Sequence, residues 1–336
     1  MTIKAIKILI LSDDRVGHIN RSQAVVAAIA RHRAVDLRMI QLYIPQLLPK
    51  AFLPRLARLL SPNAYLRLIH KITAADFPKV DLIISTGGST IGANRALAKL
   101  LRVKNIYVGK NRGFPPRSFN ISLAPYTVNG KPVAGHMLIQ PVNIDPDALI
   151  SPYPRKFSNV STDFSIGFLL GAPTRDAPFS ESDWDNISTL ISLFIADKSV
   201  RIVVSTSPRT PDAAYRALEL HKIAEKCEFI DFRVHGPGSA NAIFECDSII
   251  ATLDSNSMIN EGMAARRPVI VLTPDTVKLT EDLSELQSHE KAKRLAIMKA
   301  STVTTEVIFE VIASLKPLES NHLEVLSSAL VGDLDF

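Results

Sequence analysis

The sequence predicts an α/β protein made of two doubly wound parallel-sheet, Rossmann-like domains facing each other across a cleft. Three observations carry that expectation. Strand-length apolar runs alternate with segments of helical apolar spacing in both halves of the 336-residue chain, the pattern of parallel sheets built from βα units. The strands are followed by polar loops, several of them containing glycine, where open α/β sheets place their ligands. Between about Ile144 and Thr162 the chain turns proline-rich and aperiodic, which reads as a linker and divides it into domains of residues 1–150 and 151–336.

The first strand runs from Ala5 to Leu11 and is followed by the turn SDDRVGHINRS and a helix from about Gln23 to His32. Gly17 allows close backbone approach, while Asp13, Asp14, Arg15, His18 and Asn20 crowd the strand's carboxyl end. Either Asp14 or His18 can act as a general base, the imidazole because its ordinary pKa lies near neutrality. The plainer alternative makes Asp13 a turn cap and His18 a half-exposed residue at the helix entrance. A second strand, 36–42, leads into a proline-broken, leucine-rich segment with interleaved cations. Its residues 46–71 read either as two short packed helices or as a surface for peripheral contact with an anionic membrane. Strand Val80 to Ser85 enters TGGSTIGANRALAKLL, where Gly87, Gly88 and Ser89 can offer amides and a hydroxyl to an anion. This junction matches neither the Walker pattern nor GxGxxG. Strand Asn105 to Val108 precedes KNRGFPPRSFN, a rigid loop with Lys110, Arg112 and Arg117, and strand Ile121 to Ala124 follows.

The same grammar resumes after the linker. Strand Phe164 to Leu170 opens GAPTRDAPFSESDW and a helix from about Asp183 to Ile195; strand Arg201 to Ser205 enters STSPRTPDAAYRALEL; strand Phe229 to Asp231 precedes a glycine-containing loop. Strand Ser248 to Thr252 then leads into Asp254, Ser255, Asn256 and Ser257, all good turn or N-cap residues. The helix beyond carries Glu261 in its first turns and ends at Arg266-Arg267-Pro268, before strand Val269 to Leu272. A helix N-terminus at a strand's carboxyl end suits phosphate, and Glu261 can accept hydrogen bonds from a ribose. Gly171, Thr174 and Arg175, then Ser205, Thr206, Ser207, Arg209 and Thr210, stand at the other strand ends. Arg175 and Arg209 can bind phosphate as planar forks; singly, each could equally be a surface ion pair, and a capped helix in an ordinary α/β domain would share the spacing of residues 254–261.

Composition narrows the function classes. With 46% hydrophobic and 21% charged residues the chain is globular rather than disordered. A net charge of +6 and pI near 9.3 favour an anionic partner without choosing one. Dispersed cations and 6% aromatic content argue against nucleic acid. Cys227 and Cys246 are too few for a disulfide framework and lack metal-ligand spacing. The N-terminus lacks the pattern of a secretory signal and no apolar run reaches membrane-span length, so a cytoplasmic location is expected, with peripheral attachment to a membrane's inner face as an option.

LSDDRVGHINRS, GAPTRD, VSTSPRTP and LDSNSMINEGMAARRPVIVL, in this order and covering most of the chain, together resemble the mitochondrial fission ELM-type family, first known from plants with elongated mitochondria and with many bacterial members. The chain differs from the family pattern at Val16, where Pro is usual, at Arg21, where Gln is usual, and at Leu253, where Glu often stands. The resemblance implies a GT-B fold, with a nucleotide-sugar bound mainly by the C-terminal domain and a saccharide or lipid-linked acceptor by the N-terminal one. It implies donor contacts from Gly171, Thr174, Arg175, Ser205, Ser207, Arg209, Asp254, Ser255, Asn256, Ser257 and Glu261, acceptor-side contacts from Arg15, Gly17, Asn20, Gly87, Gly88 and Ser89, and Asp14 or His18 as the base. No metal or resident cofactor is expected, since no DxD motif stands in a suitable loop and Asp145-Pro146-Asp147 falls in the linker. The rival expectation is a non-catalytic adaptor in membrane or mitochondrial fission that keeps the fold. A third, a sugar-nucleotide 2-epimerase, would need more acids around the donor sugar than Glu261 alone.

Overall fold

The computed structural model describes residues 5–45, 47–77, 79–124, 127–128, 131–132, 139–156, 164–197, 199–236, 238–254 and 256–334. The chain forms two compact units, residues 1–143 with 320–336, and residues 144–319.

In the first unit a seven-stranded sheet has the order β2-β1-β3-β4-β5-β6-β7. Its strands are β1 (Ile6–Ser12), β2 (Val35–Gln41), β3 (Leu82–Thr86), β4 (Lys104–Val108), β5 (Ile121–Ala124), β6 (Thr127–Val128) and β7 (Lys131–Pro132). The first five pair in parallel and the last two add an antiparallel hairpin. β3 is buried along its whole length, Ile83 and Ile84 among its residues, because helices cover both faces. β2, at the edge, turns Asp36 and Arg38 to solvent, which discourages further pairing. The crossovers carry α1 (Val16–Ala30), α2 (Leu53–Leu59), α3 (Pro62–Tyr65, continuing as a π-helical turn over Leu66–His70) and α4 (Ile91–Leu101). α1 begins earlier than the expected Gln23, so Gly17, His18 and Asn20 sit on its first turns rather than on a loop.

The second unit holds a six-stranded, all-parallel sheet in the order β10-β9-β8-β11-β12-β13. It comprises β8 (Phe164–Leu170), β9 (Val200–Thr206), β10 (Glu228–Ile230), β11 (Ser248–Thr252), β12 (Val269–Thr273) and β13 (Leu295–Lys299). Among the described residues seven α-helices flank it: α5 (Glu181–Ala196), α6 (Asp212–Leu220), α7 (Ile223–Lys226), α8 (Phe232–His235), α9 (Asn256–Ala264), α10 (Glu281–Lys291) and α11 (Thr305–Ser314). α5 starts at a Ser180/Asp183 capping box, and Thr280 and Thr304 cap α10 and α11. Trp184, Phe168 and Phe194 lie at the centre of the core.

The expected linker is, over its described part, a strap fastened to the second unit. Arg155 donates from both its backbone N and its Nε to the buried Asp247, Ile150 and Ser151 donate backbone N–H groups to Glu245, and Arg266 pairs with Asp147 at 2.6 Å. The wholly buried Arg267 donates to the Phe244 carbonyl at 2.9 Å and to that of Ser151. Residues 157–163 lie outside the described residues. The last helix, α12 (His322–Leu334), returns to the first unit, where Leu326 and Leu330 join the core beside α1 and Arg31 pairs with Glu324. The units thus divide differently from 1–150 and 151–336: the chain changes unit at Asn143–Ile144, and its final stretch belongs with its beginning.

Candidate functional site

Strand order locates the site in each unit. In an open doubly wound sheet a crevice forms at the carboxyl ends of the strands where the winding direction reverses. That point lies between β1 and β3 in the first unit and between β8 and β11 in the second.

At the first switch point the side chain that pairs with His18 is Asp13. His18 Nδ1 lies 2.8 Å from Asp13 Oδ1, and Ser89 Oγ donates to the other carboxylate oxygen. The Asp13 side chain is 1% exposed and that of His18 22%. Burial pushes the Asp13 carboxyl up, but hydrogen bonds from His18 and Ser89 and the His18 charge outweigh it, and the group rests below the ordinary carboxylate range. Gly87, at φ +94°, leaves room for the ring: a Cβ there would stand 2.3 Å from His18 Cε1. With Nδ1 held by a carboxylate, Nε2 is the nitrogen left for proton transfer. Asp14 takes a left-handed backbone, φ 68°, and faces solvent, as does Arg15. Ser89 and Thr90 lead into α4, with Gly88 beside the Arg112 side chain. Gly17 and Asn20, half-buried, share α1 with His18. A cavity of about 630 Å³ opens beside Asp13, walled by Gln41, Leu42, Tyr43, Ile44, Pro45 and Leu47.

At the second switch point the central group is Asp254. Its side chain is wholly buried and seated against Gly171, where a Cβ would come within 2.0 Å of Oδ1. Thr252 Oγ1 donates to Oδ1 at 2.7 Å while accepting from the Gly171 N–H at 2.8 Å. Arg209, 58% exposed, reaches Oδ2 at 3.3 Å. Burial raises the Asp254 pKa and exceeds the opposing effects of Thr252, the Ala172 N–H and Arg209. The Arg209 loop is held by its own hydroxyls: Ser207 N–H donates to Thr210 Oγ1 at 2.8 Å, and Thr210 Oγ1 donates to the Leu170 carbonyl at 2.7 Å. Ser205 is fully buried and bonds the Thr206 carbonyl, so it shapes the loop from within. Thr174 closes the preceding loop with Ala177, and Arg175 projects into solvent. Asn256 opens α9, with Ser257 and Glu261 half-buried along it; Ser255 lies outside the described residues. Thr174, Asp254, Asn256, Lys278 and Thr280 line a cavity of about 170 Å³.

Two features of the structure are not legible in the sequence. Asp13 is the orienting carboxylate, and nothing in the DD dipeptide distinguishes it from Asp14. A second network at the ends of β9 and β10 joins Asp231, Arg233, Tyr215 and Thr206: Arg233 Nε and one terminal N donate to Asp231 while the guanidinium lies 3.4 Å over the Tyr215 ring. The Arg233 hydrogen bonds hold Asp231 below its ordinary value. Among the described residues no group of three or more His, Cys, Asp or Glu is arranged to hold a metal ion, and no helix is long and apolar enough to cross a membrane.

Solved structures with this architecture include a putative UDP-N-acetylglucosamine 2-epimerase from Listeria monocytogenes, at TM-score 0.58 and 13% identity over 99% of this chain and 96% of that one. S. aureus MnaA, solved with UDP, matches at TM-score 0.54 and 14% identity over 97% and 95% of the two chains. The Neisseria meningitidis UDP-GlcNAc 2-epimerase, bound to UDP-GlcNAc, gives 0.51 and 11% over 98% and 99%. At such identities the likeness establishes the fold, which is of the GT-B type. No curated protein matches the chain in sequence. The family model described as Mitochondrial fission ELM1 matches residues 16–310, and the chain belongs to that family.

Proposed function

We propose that the protein is a nucleotide-sugar-dependent glycosyltransferase that works without a bound metal, binding its donor at the switch point of the second unit and activating its acceptor at that of the first. The observation that carries this reading is the Asp13–His18 pair: a carboxylate fixes one ring nitrogen at 2.8 Å and the imidazole lies against a glycine that leaves it room. His18 Nε2 takes the proton from an acceptor hydroxyl as that oxygen bonds to the anomeric carbon, and the nucleoside diphosphate departs with the electrons of the bond it leaves. Asp13 stabilises the imidazolium so formed. Arg209, Arg175 and the N-terminal amides of α9 offset the charge on the leaving group. The cavity beside Asp13 has walls from Leu42, Ile44, Pro45 and Leu47, which supports an acceptor with an apolar portion such as a lipid-linked saccharide. Leu47, Leu59 and Leu68 are exposed in the same segment as Lys50, Arg55 and Arg67, which supports peripheral contact with an anionic membrane.

The test begins with thermal shifts against UDP, GDP, CDP, CMP and their sugars, with Arg209→Ala alongside. One nucleotide should raise the native melting temperature and lose that effect in the variant. Turnover with the donor so identified should then fall about 10²–10⁴-fold in His18→Ala with donor binding kept. Full activity in His18→Ala would overturn the assignment of the base. Conversion of the nucleotide-sugar to an epimer without acceptor would instead establish an epimerase, and a chain that responds to no nucleotide would be an adaptor.

A further inference from the structure

The first unit carries another cavity, of about 470 Å³, along the amino edge of its sheet, away from the Asp13–His18 pair. Its walls are the carboxyl half of α4, the starts of β4 and β5, and the loop KNRGFPPRSFN between those strands. Arg95, Lys99, Arg117, Ser118, Asn105 and Asn120 supply its polar lining, and no acid is among the residues around it. Among the described residues none of the three cations makes an ion pair. Lys99 complements the carboxyl end of α4, but Arg95, more than a turn earlier, and Arg117, on the loop, have no helix end to serve.

Two of the donors, Arg95 and Asn120, are held in place. Arg95 lies over the buried Phe114 ring at 5.8 Å, Phe114 meets Phe119 edge-on at 6.2 Å, and Phe119 stacks on Tyr107 at 5.1 Å. Asn105 and Asn120 each accept the other's backbone N–H, at 2.9 and 3.0 Å. That exchange commits the Asn120 side-chain oxygen and leaves its NH₂ as a donor. Two guanidinium forks, an ammonium, an amide and a hydroxyl therefore meet around one cavity with no fixed negative charge. Like charges gathered this way repel one another, and an anion that joins them relieves the repulsion.

We propose that this cavity binds a phosphomonoester or diphosphate group, at a site separate from both switch points. Planar forks with an added ammonium match phosphate oxygens better than a single carboxylate. The group can arrive on a small molecule or on a lipid headgroup, and the two sources are separable.

The experiment uses the full chain in the Arg175→Ala, Arg209→Ala background, which removes both of the second unit's proposed phosphate arginines. Calorimetric titration with inorganic pyrophosphate is compared with and without Lys99→Gln and Arg117→Gln, both at exposed side chains. A parallel arm measures co-sedimentation with phosphatidylcholine vesicles with and without phosphatidic acid. Expected is a pyrophosphate site whose Kd rises at least about tenfold, the equivalent of ~1.4 kcal/mol, when the two cations are removed, and which Lys99→Arg with Arg117→Lys retains. Binding to phosphatidic acid vesicles alone, lost with the same two cations, would identify the source as a headgroup and uphold the site. Failure to hold either probe, or equal affinity without the two cations, would overturn it.

Discussion

The two switch points are built alike and differ in one chemical choice. Each has a glycine at a strand's carboxyl end that makes room for one member of a pair, a buried aspartate, a hydroxyl donor on that aspartate, and a partly exposed basic partner. In the first unit the set is Gly87, Asp13, Ser89 and His18; in the second it is Gly171, Asp254, Thr252 and Arg209. Histidine gains and loses its proton near neutral pH, whereas arginine keeps its charge. One centre is thereby suited to moving a proton and the other to holding an anion. The carboxylates follow suit: hydrogen bonds win over burial at Asp13, and burial wins over hydrogen bonds at Asp254.

The most damaging way to break the likeness is to fill the glycines. In Gly171→Ala the new Cβ would sit 2.0 and 2.2 Å from the carboxylate oxygens of a wholly buried side chain. Asp254, a wholly buried carboxylate, must then leave Thr252 and its exposed partner Arg209, at a cost of about 3–5 kcal/mol, that of a buried charge left uncompensated. Gly87→Ala meets His18 at 2.3 Å and requires φ +94°, but the ring is partly exposed and can swing outward. A loss of about 1–3 kcal/mol is expected there, together with the proposed base. Urea unfolding of both variants ranks them, and the reverse order would show that Asp254 is less confined than its burial implies.

Much of this was readable in advance, and the failures have physical causes. The central strands announce themselves as apolar runs because parallel strands are buried on both faces, and the glycine and hydroxyl loops mark their carboxyl ends. His18, Gly171, Arg209 and Asp254 are therefore legible as candidates in the sequence, and they gather at the two switch points. The partner of His18 is not, because Asp13 and Asp14 are chemically identical and only the left-handed backbone at Asp14 turns that side chain to solvent. The strap resembled a linker because prolines break its periodicity, while the groups that fasten it, Asp247, Arg266 and Arg267, lie about a hundred residues away in sequence. β13 had no counterpart in the reading: LAIMK is short, and its last residue is an exposed lysine.

The opposite pKa directions give a smaller, sharper contrast. Asp13 in the fold lies below the ordinary 3.8, so its contribution to stability is present above that pH and lost as pH falls through the folded value. Asp254 lies above 3.8, so its contribution is present below that pH and lost as pH rises through the folded value. The stability gap between wild type and Asp13→Asn should therefore widen from about pH 3 to pH 7, and the gap to Asp254→Asn should narrow. A tenfold change in proton affinity between folded and unfolded states is worth about 1.4 kcal/mol, within reach of urea midpoints. Parallel trends in the two variants would refute the distinction.

The smallest expected effect concerns how His18 is presented. α1 starts at Val16 without a side-chain cap: Arg15, at φ −83° and ψ 118°, makes no such bond. Val16 is the first helical residue and is 57% exposed. Proline suits that position because its missing N–H would have no partner within the helix and its fixed φ is already helical. The extended backbone of Arg15 is the conformation a following proline demands. Val16→Pro should therefore stabilise the first unit by about 0.5 kcal/mol, chiefly by narrowing the unfolded ensemble, with the Asp13–His18 pair unchanged. A rise in the urea midpoint, with the His18 ring signals at a fixed pH unchanged from wild type by NMR, is the expected result. Destabilisation would mean that the first turn needs the Val16 N–H or its side chain, and that the helix carrying His18 is set by contacts other than its backbone geometry.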